Sequence, residues 1–210
     1  MRKPLVWIAA AMMLASGCAT AAEPVEFYSG EVNLRAWLYR PAGNGPFPAI
    51  VALHTCDGLG EVPIGARYRE WGERLQAAGF AVLFPDSFGS RALASQCRVR
   101  QRAVRASRTR INDAIAARHW LQAQPWVMAD RVSLIGWSHG ATTALWTVRR
   151  HAAAARDKTP DFRSAVALYP NCQRSGNLAW STRIPTLILI GRADDWTPAA
   201  ACEQMIAGAR

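Results

Sequence analysis

The stretch that decides the fold is Arg131-Val132-Ser133-Leu134-Ile135, followed at once by Gly136-Trp137-Ser138-His139-Gly140. Its first half is an apolar run suited to a buried parallel strand, and residues 141–148 can continue as a helix. In a Gly-x-Ser-x-Gly turn the strand and the helix approach closely, so positions 136 and 140 must be small. Such a turn holds Ser138 in a strained backbone conformation and exposes its hydroxyl. An ordinary strand-to-helix turn is the alternative interpretation.

The rest of the chain repeats this alternation of strand and helix. Apolar runs predict further buried strands at 49–53, 80–84, 165–169 and 186–190. Helices are predicted over about 66–78 and through the arginine-rich segment that stops near Pro125. A polar-alternating strand over 32–39 is expected to form an antiparallel edge. The pattern predicts an α/β fold with a mostly parallel, doubly wound sheet and helices on both faces.

The N-terminus reads as a targeting segment. Arg2 and Lys3 precede an apolar run over 5–14, and small residues then lead to Ala22. This order predicts a signal peptide over 1–22 and one domain over 26–210. The run is too short to span a membrane. Residues 14–18 also resemble a lipobox ending at Cys18, so a lipid-anchored protein is the alternative to soluble export.

Cys56, Cys97, Cys172 and Cys202 form an even set in an exported chain, which favours disulfides. We predict Cys56 with Cys97 and Cys172 with Cys202, because each pair would join segments that follow successive or nearby strand ends. The spacing alone leaves the other two connectivities open. A zinc site is disfavoured, since the chain has no C-x-x-C or H-x-x-x-H spacing.

The net charge of +10 raises the question of a nucleic-acid partner. The densest cluster of positive charge consists of six arginines between positions 98 and 110. Apolar residues from Val104 to Leu121 recur at helical spacing, so we interpret the segment as an amphipathic helix with a solvated basic face. No aromatic side chains alternate with the arginines to stack on bases, and no nucleic-acid partner is expected.

Functional residues in such a sheet lie where strands end at their carboxyl side. Three strand ends carry candidate residues, namely 54–59, Ser138 and 191–198. With Pro85-Asp86-Ser87-Phe88-Gly89 and Tyr169-Pro170, these segments resemble the dienelactone hydrolase family of α/β-hydrolases, in particular its exported members. The resemblance covers about 32–204. It implies an α/β-hydrolase fold and hydrolysis of small-molecule esters or lactones.

By this resemblance Ser138 is the nucleophile and Asp194, with Pro198 four residues later, is the acid. Arg91 corresponds to an arginine that holds a substrate carboxylate in dienelactone hydrolases, although an exposed loop arginine is an equal interpretation. The founding members carry cysteine at the elbow. Serine at this position favours ordinary esters over dienelactone itself.

The residues support the same chemistry without the family name. A serine nucleophile needs a histidine base oriented by a carboxylate, in the chain order Ser, Asp, His. The backbone N–H groups of His139 and of Thr55 or Cys56 are predicted to form the oxyanion hole. Asp195 is the competing acid. Trp137 and Trp196 are candidate substrate contacts, with core packing as the alternative role of either.

No histidine in the sequence follows Asp194. His54 begins the oxyanion loop, His139 adjoins the nucleophile, and His119 and His151 lie in or near predicted helices. Strand 186–190 would also be an uncovered apolar edge, which complete proteins avoid. We therefore expect a further strand, a histidine-bearing loop and a final helix beyond position 210.

The leading hypothesis is an exported serine esterase that forms an acyl-enzyme and uses no metal or organic cofactor. The alternative is a truncated, catalytically inactive protein of the same fold, which binds a ligand or has no function. A third hypothesis is an envelope protein anchored through a lipid on Cys18.

Overall fold

The apolar runs found in the sequence form the centre of one sheet. The computed structural model describes residues 21–60, 64–150, 158–173 and 180–209. Most of the predicted signal peptide, with Cys18, and His151 lie outside these residues. Within them, the strands are β1 (Glu23–Ser29), β2 (Val32–Tyr39), β3 (Phe47–Leu53), β4 (Ala81–Pro85), β5 (Val127–Trp137), β6 (Ala165–Leu168) and β7 (Thr186–Leu189).

Helices connect the strands and cover the sheet on both sides. They are α1 (Ala66–Ala77), α2 (Thr109–Gln122), α3 (His139–Val148) and α4 (Ala199–Ala207), with a 3-10 turn at Gly89–Arg91. Tyr68 of α1 packs with Phe84 and Trp137 on one face. Residues of α2, α3 and α4 pack on the other face. The predicted fold class is confirmed.

The strand order is β1-β2-β4-β3-β5-β6-β7. The pairs β1/β2 and β2/β4 are antiparallel, and the remaining neighbours are parallel. The chain runs from β3 outward to β4 and then crosses to β5 on the other side of β3. The carboxyl ends of β3 and β5 therefore meet at a topological switch point, where such sheets place their ligand sites.

Two features of the N-terminal half differ from the sequence prediction. β2 is antiparallel, as expected, but the edge strand is β1, which hairpins onto it through a turn at Gly30 (φ +62°). In addition, α2 begins only at Thr109, and turns occupy residues 97–108. Arg110 and Arg118 are also fully buried rather than on a solvated face. The prediction of one long helix with a solvated basic face was therefore wrong about where the helix starts and about these two arginines.

The sheet ends at β7 within the described residues. β7 pairs with β6 alone, and Leu187 and Leu189 are about half exposed, at 53% and 48%. None of the described helices is long and apolar enough to cross a bilayer.

Both predicted disulfides are present. Cys56–Cys97 ties the loop after β3 to the loop before α2, and Cys172–Cys202 ties the loop after β6 to α4. Each of these four cysteines is joined in a disulfide, so none of the four is available as a thiolate ligand for zinc. Each bond fixes a loop that follows the carboxyl end of a strand.

Candidate active site

Ser138 sits in a sharp turn between β5 and α3. Its backbone has φ +50° and ψ −112°, a conformation that costs a residue with a side chain of order 1–3 kcal/mol. The Ser138 N–H donates to the Leu168 carbonyl of β6 at 2.9 Å, which fixes the turn to the neighbouring strand. Within the described residues, the Ser138 hydroxyl makes no hydrogen bond.

The two glycines of the motif are required by close backbone contact. A Cβ on Gly136 would lie 2.7 Å from the Ala141 nitrogen, and one on Gly140 would lie 2.6 Å from the His54 carbonyl oxygen. Both separations are shorter than any normal carbon contact. The turn therefore packs directly against the end of β3, which brings Ser138 beside the loop that begins at His54.

That loop supplies the second half of the predicted oxyanion hole. The Thr55 N–H donates to the Tyr68 hydroxyl at 2.9 Å and is therefore not available to donate to an oxyanion. The Cys56 N–H has no acceptor among the described residues, while the Cys56 carbonyl accepts from Gln96 N–H at 2.7 Å. The His139 N–H lies in the first turn of α3, where amides have no partner in their own helix. Of the predicted donors, Cys56 and His139 therefore remain available.

Asp194 lies in a tight turn after β7. One carboxylate oxygen accepts the N–H groups of Trp196 and Thr197 at 3.0 and 2.7 Å, and the other accepts the Thr197 hydroxyl at 2.8 Å. The hydrogen bonds from Thr197, followed by that from Trp196, hold the pKa of Asp194 below its ordinary value. Asp194 is thus kept ionised, as an orienting carboxylate requires. Asp195, the competing acid, is exposed and makes no hydrogen bond within the described residues.

Hydrogen bonds assign the protons on the two histidines nearest Ser138. His54 Nδ1 lies 2.7 Å from the Thr55 carbonyl, which only accepts, and the Ser87 N–H donates to His54 Nε2 at 3.2 Å. His139 Nδ1 lies 2.8 Å from Arg110 Nη1, which only donates. His54 is therefore neutral with its proton on Nδ1, and His139 carries its proton on Nε2.

Neither ring has an acceptor nitrogen left for the Ser138 proton. Burial, reinforced by Arg110, lowers the pKa of His54 well below its ordinary value and that of His139 to about 3. The third histidine of the described residues, His119, lies in α2, with its Nε2 near Arg118. None of the three can act as the base for Ser138 in this arrangement.

Arg91 has a different partner from the one suggested by the family resemblance. Its guanidinium donates to both carboxylate oxygens of buried Asp113, at 2.7 and 3.0 Å, and to the Ser87 carbonyl at 2.8 Å. Asp113 also accepts the Ser29 hydroxyl at 2.7 Å. The observed contacts of Arg91 tie the loop after β4 to α2.

The two candidate tryptophans lie in opposite surroundings. Trp137 is 2% exposed and packs against Tyr68, Trp71 and Phe84, beneath the turn. Trp196, two residues after Asp194, is 74% exposed. Trp137 is therefore a core residue, and only Trp196 presents its ring to a molecule approaching from solvent.

Sequence reasoning missed Arg110, Ser87 and Tyr68, which hold the loops of the site. The sequence did contain a signal for Arg110. It lies four residues before Ala114, and Arg118 lies four after it, so both arginines share the apolar stripe of α2. An arginine in line with core positions of a helix indicates a buried guanidinium.

Comparisons with known proteins agree with this architecture. The family model of the dienelactone hydrolase family matches residues 34–209. A search of curated proteins finds no match. Dienelactone hydrolase from Anabaena variabilis is 22% identical with a TM-score of 0.68, and the match covers 90% of this chain and 82% of that one.

Two further solved structures share the fold. Esterase 2 of Thermogutta terrifontis, phosphoramylated by tabun, is 20% identical, with a TM-score of 0.63 over 89% of this chain and 77% of that one. Dipeptidyl peptidase 4 of Porphyromonas gingivalis is 17% identical, with a TM-score of 0.68 over 91% of this chain but only 30% of its own length. These likenesses are to the fold, whereas the family model covers most of the sequence. The chain belongs to the dienelactone hydrolase family of hydrolases.

Proposed function

We propose that this protein is a serine hydrolase of small carboxylic esters or lactones that works through an acyl-enzyme. The observation that carries the proposal is the strained backbone of Ser138, whose hydroxyl makes no hydrogen bond within the described residues. The two predicted oxyanion donors, the amides of Cys56 and His139, also have no acceptor in that part of the chain. With φ +50° and ψ −112°, Ser138 lies outside even the left-handed helical region, and such strained conformations cluster at active sites. The Anabaena protein is named a dienelactone hydrolase and the Thermogutta protein an esterase, and both names support the ester class.

The reaction divides into two acyl transfers. Ser138 Oγ attacks the ester carbonyl and loses its proton to a histidine base, and the carbonyl oxygen becomes an oxyanion. The Cys56 and His139 amides donate to that oxyanion. The histidine then protonates the departing alcohol, and water repeats the sequence to release the acid. In this scheme Asp194 orients the histidine that accepts the proton.

The substrate is a small molecule, in keeping with the family. Trp196 is our candidate for a contact with its acyl or alcohol group. Asp113 already balances the charge of the Arg91 guanidinium, which reduces its attraction for a substrate carboxylate. We therefore propose neutral esters before anionic ones. Two disulfides favour an oxidising compartment, in keeping with export through the predicted signal peptide.

A catalytically inactive protein of the same fold is the second candidate. It is favoured by one observation, namely that none of the described histidines can accept the Ser138 proton. The two candidates differ in turnover, because Ser138 cleaves an ester at a catalytic rate only if a base activates it.

The test is hydrolysis of p-nitrophenyl acetate and of dihydrocoumarin by the full chain, with Ser138→Ala as the blank. Asp194→Asn and Asp195→Asn form a matched pair of adjacent carboxylates. We expect Asp194→Asn to lose about 10³-fold or more in kcat, as expected for an orienting carboxylate, and Asp195→Asn to retain the parent rate. Turnover that survives Ser138→Ala would contradict the proposal.

A further inference from the structure

Arg110 of α2 is a buried cation that the proposed reaction has not used. Its side chain is fully buried, lies over the Phe88 ring with Cζ 5.3 Å from the centroid, and makes no ion pair within 4 Å among the described residues. One of its nitrogens, Nη2, is buried without a hydrogen-bond partner in the same part of the chain. Burial lowers the pKa of the guanidinium to about 10. Burying such a charge is costly, so its position requires an explanation.

The remaining nitrogens of Arg110 face the start of α3 and the loop after β4. Nη1 donates to His139 Nδ1 at 2.8 Å, and Nε donates to the Ser87 hydroxyl at 3.3 Å. The Ser87 N–H in turn donates to His54 Nε2, and His54 Nδ1–H donates to the Thr55 carbonyl. A continuous path of hydrogen bonds and one backbone segment thus joins His139 to the carbonyl that immediately precedes the Cys56 amide.

We infer that Arg110 is a positioning residue that aligns the two oxyanion donors, His139 and Cys56, by holding the His139 ring and the Ser87–His54 pair at the same time. The inference rests on the proposed function, because it concerns the same oxyanion hole. Arg110 touches neither the substrate nor Ser138 in this role. Its forked guanidinium can satisfy two acceptors in different directions, which a single ammonium on a flexible stem does less well.

The test compares the full chain with Arg110→Met, Arg110→Lys and Arg118→Met. Arg118 is the matched control, because it is also fully buried in α2 but pairs with Asp161 at 2.9 Å. We expect Arg110→Met to lower kcat about 10- to 100-fold with KM within about twofold, less than the loss of a whole oxyanion donor. Folded Arg118→Met is expected to keep the parent kcat while losing stability.

A second readout does not depend on turnover. In 15N-labelled protein, the Nδ1 signal of His139, assigned with His139→Gln, reports the proton donated by Arg110. We expect this signal to shift in Arg110→Met and to stay in place in Arg118→Met. If the parent chain hydrolyses no ester, the proposed function fails, and the ring signal alone then decides whether Arg110 holds His139.

The inference is overturned if folded Arg110→Met keeps the parent kcat or the parent His139 signal. If Arg110→Met does not fold, Arg110→Lys decides the matter, because it keeps the charge and loses the fork. A Lys variant with the parent kcat and ring signal would show that only the charge matters and would overturn the positioning role.

Discussion

Replacing Gly140 with alanine has two opposing effects on the free energy of unfolding. Gly140 lies in the first turn of α3, where alanine is intrinsically more favourable than glycine by about 1 kcal/mol. The added Cβ, however, would lie 2.6 Å from the His54 carbonyl oxygen and nearer still to that of Leu53. Carbon and carbonyl oxygen normally stay about 3.3 Å apart or more, so α3 or the end of β3 must retreat by roughly 1 Å.

We expect the steric cost to exceed the gain in helix propensity. Overpacking costs about 1–3 kcal/mol, and because backbone on the β3 side cannot rotate away, we expect the upper end of that range. After subtraction of the helical gain, Gly140→Ala should lose about 2 kcal/mol of unfolding free energy.

The assay is urea denaturation followed by tryptophan fluorescence, for which the chain has nine tryptophans. Gly208→Ala is the matched control, because Gly208 ends α4 with φ −86° and a Cβ there would meet nothing closer than 3.5 Å. It should change stability by less than about 0.5 kcal/mol. A Gly140→Ala protein as stable as the parent would refute the close contact between α3 and β3.

Three further predictions concern stability. Ser138→Gly should gain about 1 kcal/mol in urea denaturation, because relief of the positive φ exceeds the chain entropy that glycine adds, and it should abolish ester turnover; a loss of stability would contradict the strain. Replacing Cys172 and Cys202 together with alanine should lose about 3–4 kcal/mol, as the entropy of a loop with a sequence separation of 30 implies; a loss under about 1 kcal/mol would show that this disulfide does not constrain the unfolded chain. The folded protein holds His139 neutral down to a pKa of about 3, against 6.5 in the unfolded chain, so this residue should make stability fall as the pH drops from 6.5 toward 3. His139→Gln, which keeps an acceptor for Arg110 and does not titrate, should therefore show a shallower fall over that range, and an identical slope would contradict the buried neutral state.

The central sheet could be predicted because its strands are apolar on both faces. A run such as Ala49–Leu53 has few structures open to it other than a buried parallel strand. The edge strand β1 carries polar residues such as Glu23 and Glu26 and has no such pattern, so it was missed. The start of α2 was also missed, because arginines favour helices in isolation while residues 97–108 are held in turns, one of them tied by the Cys97 disulfide.

The candidate site also has one part that the sequence predicts and another that it does not. Ser138, the glycines around it and the loop after β3 follow from a local motif whose geometry is dictated by backbone contacts. The roles of Arg91 and Arg110 depend on tertiary contacts between side chains of separate elements. Sequence spacing does not predict such contacts. Family resemblance placed Arg91 toward the substrate, whereas the fold places Asp113 against it.

The most direct test of this account is whether Ser138 is chemically activated. The full chain would be incubated with a fluorophosphonate, digested with trypsin and analysed by mass spectrometry, with Ser138→Ala as the control. We predict one adduct, on the peptide that runs from Val132 to Arg149, and none in the control. An unmodified Ser138, or an adduct on another residue, would contradict the account and favour the catalytically inactive alternative.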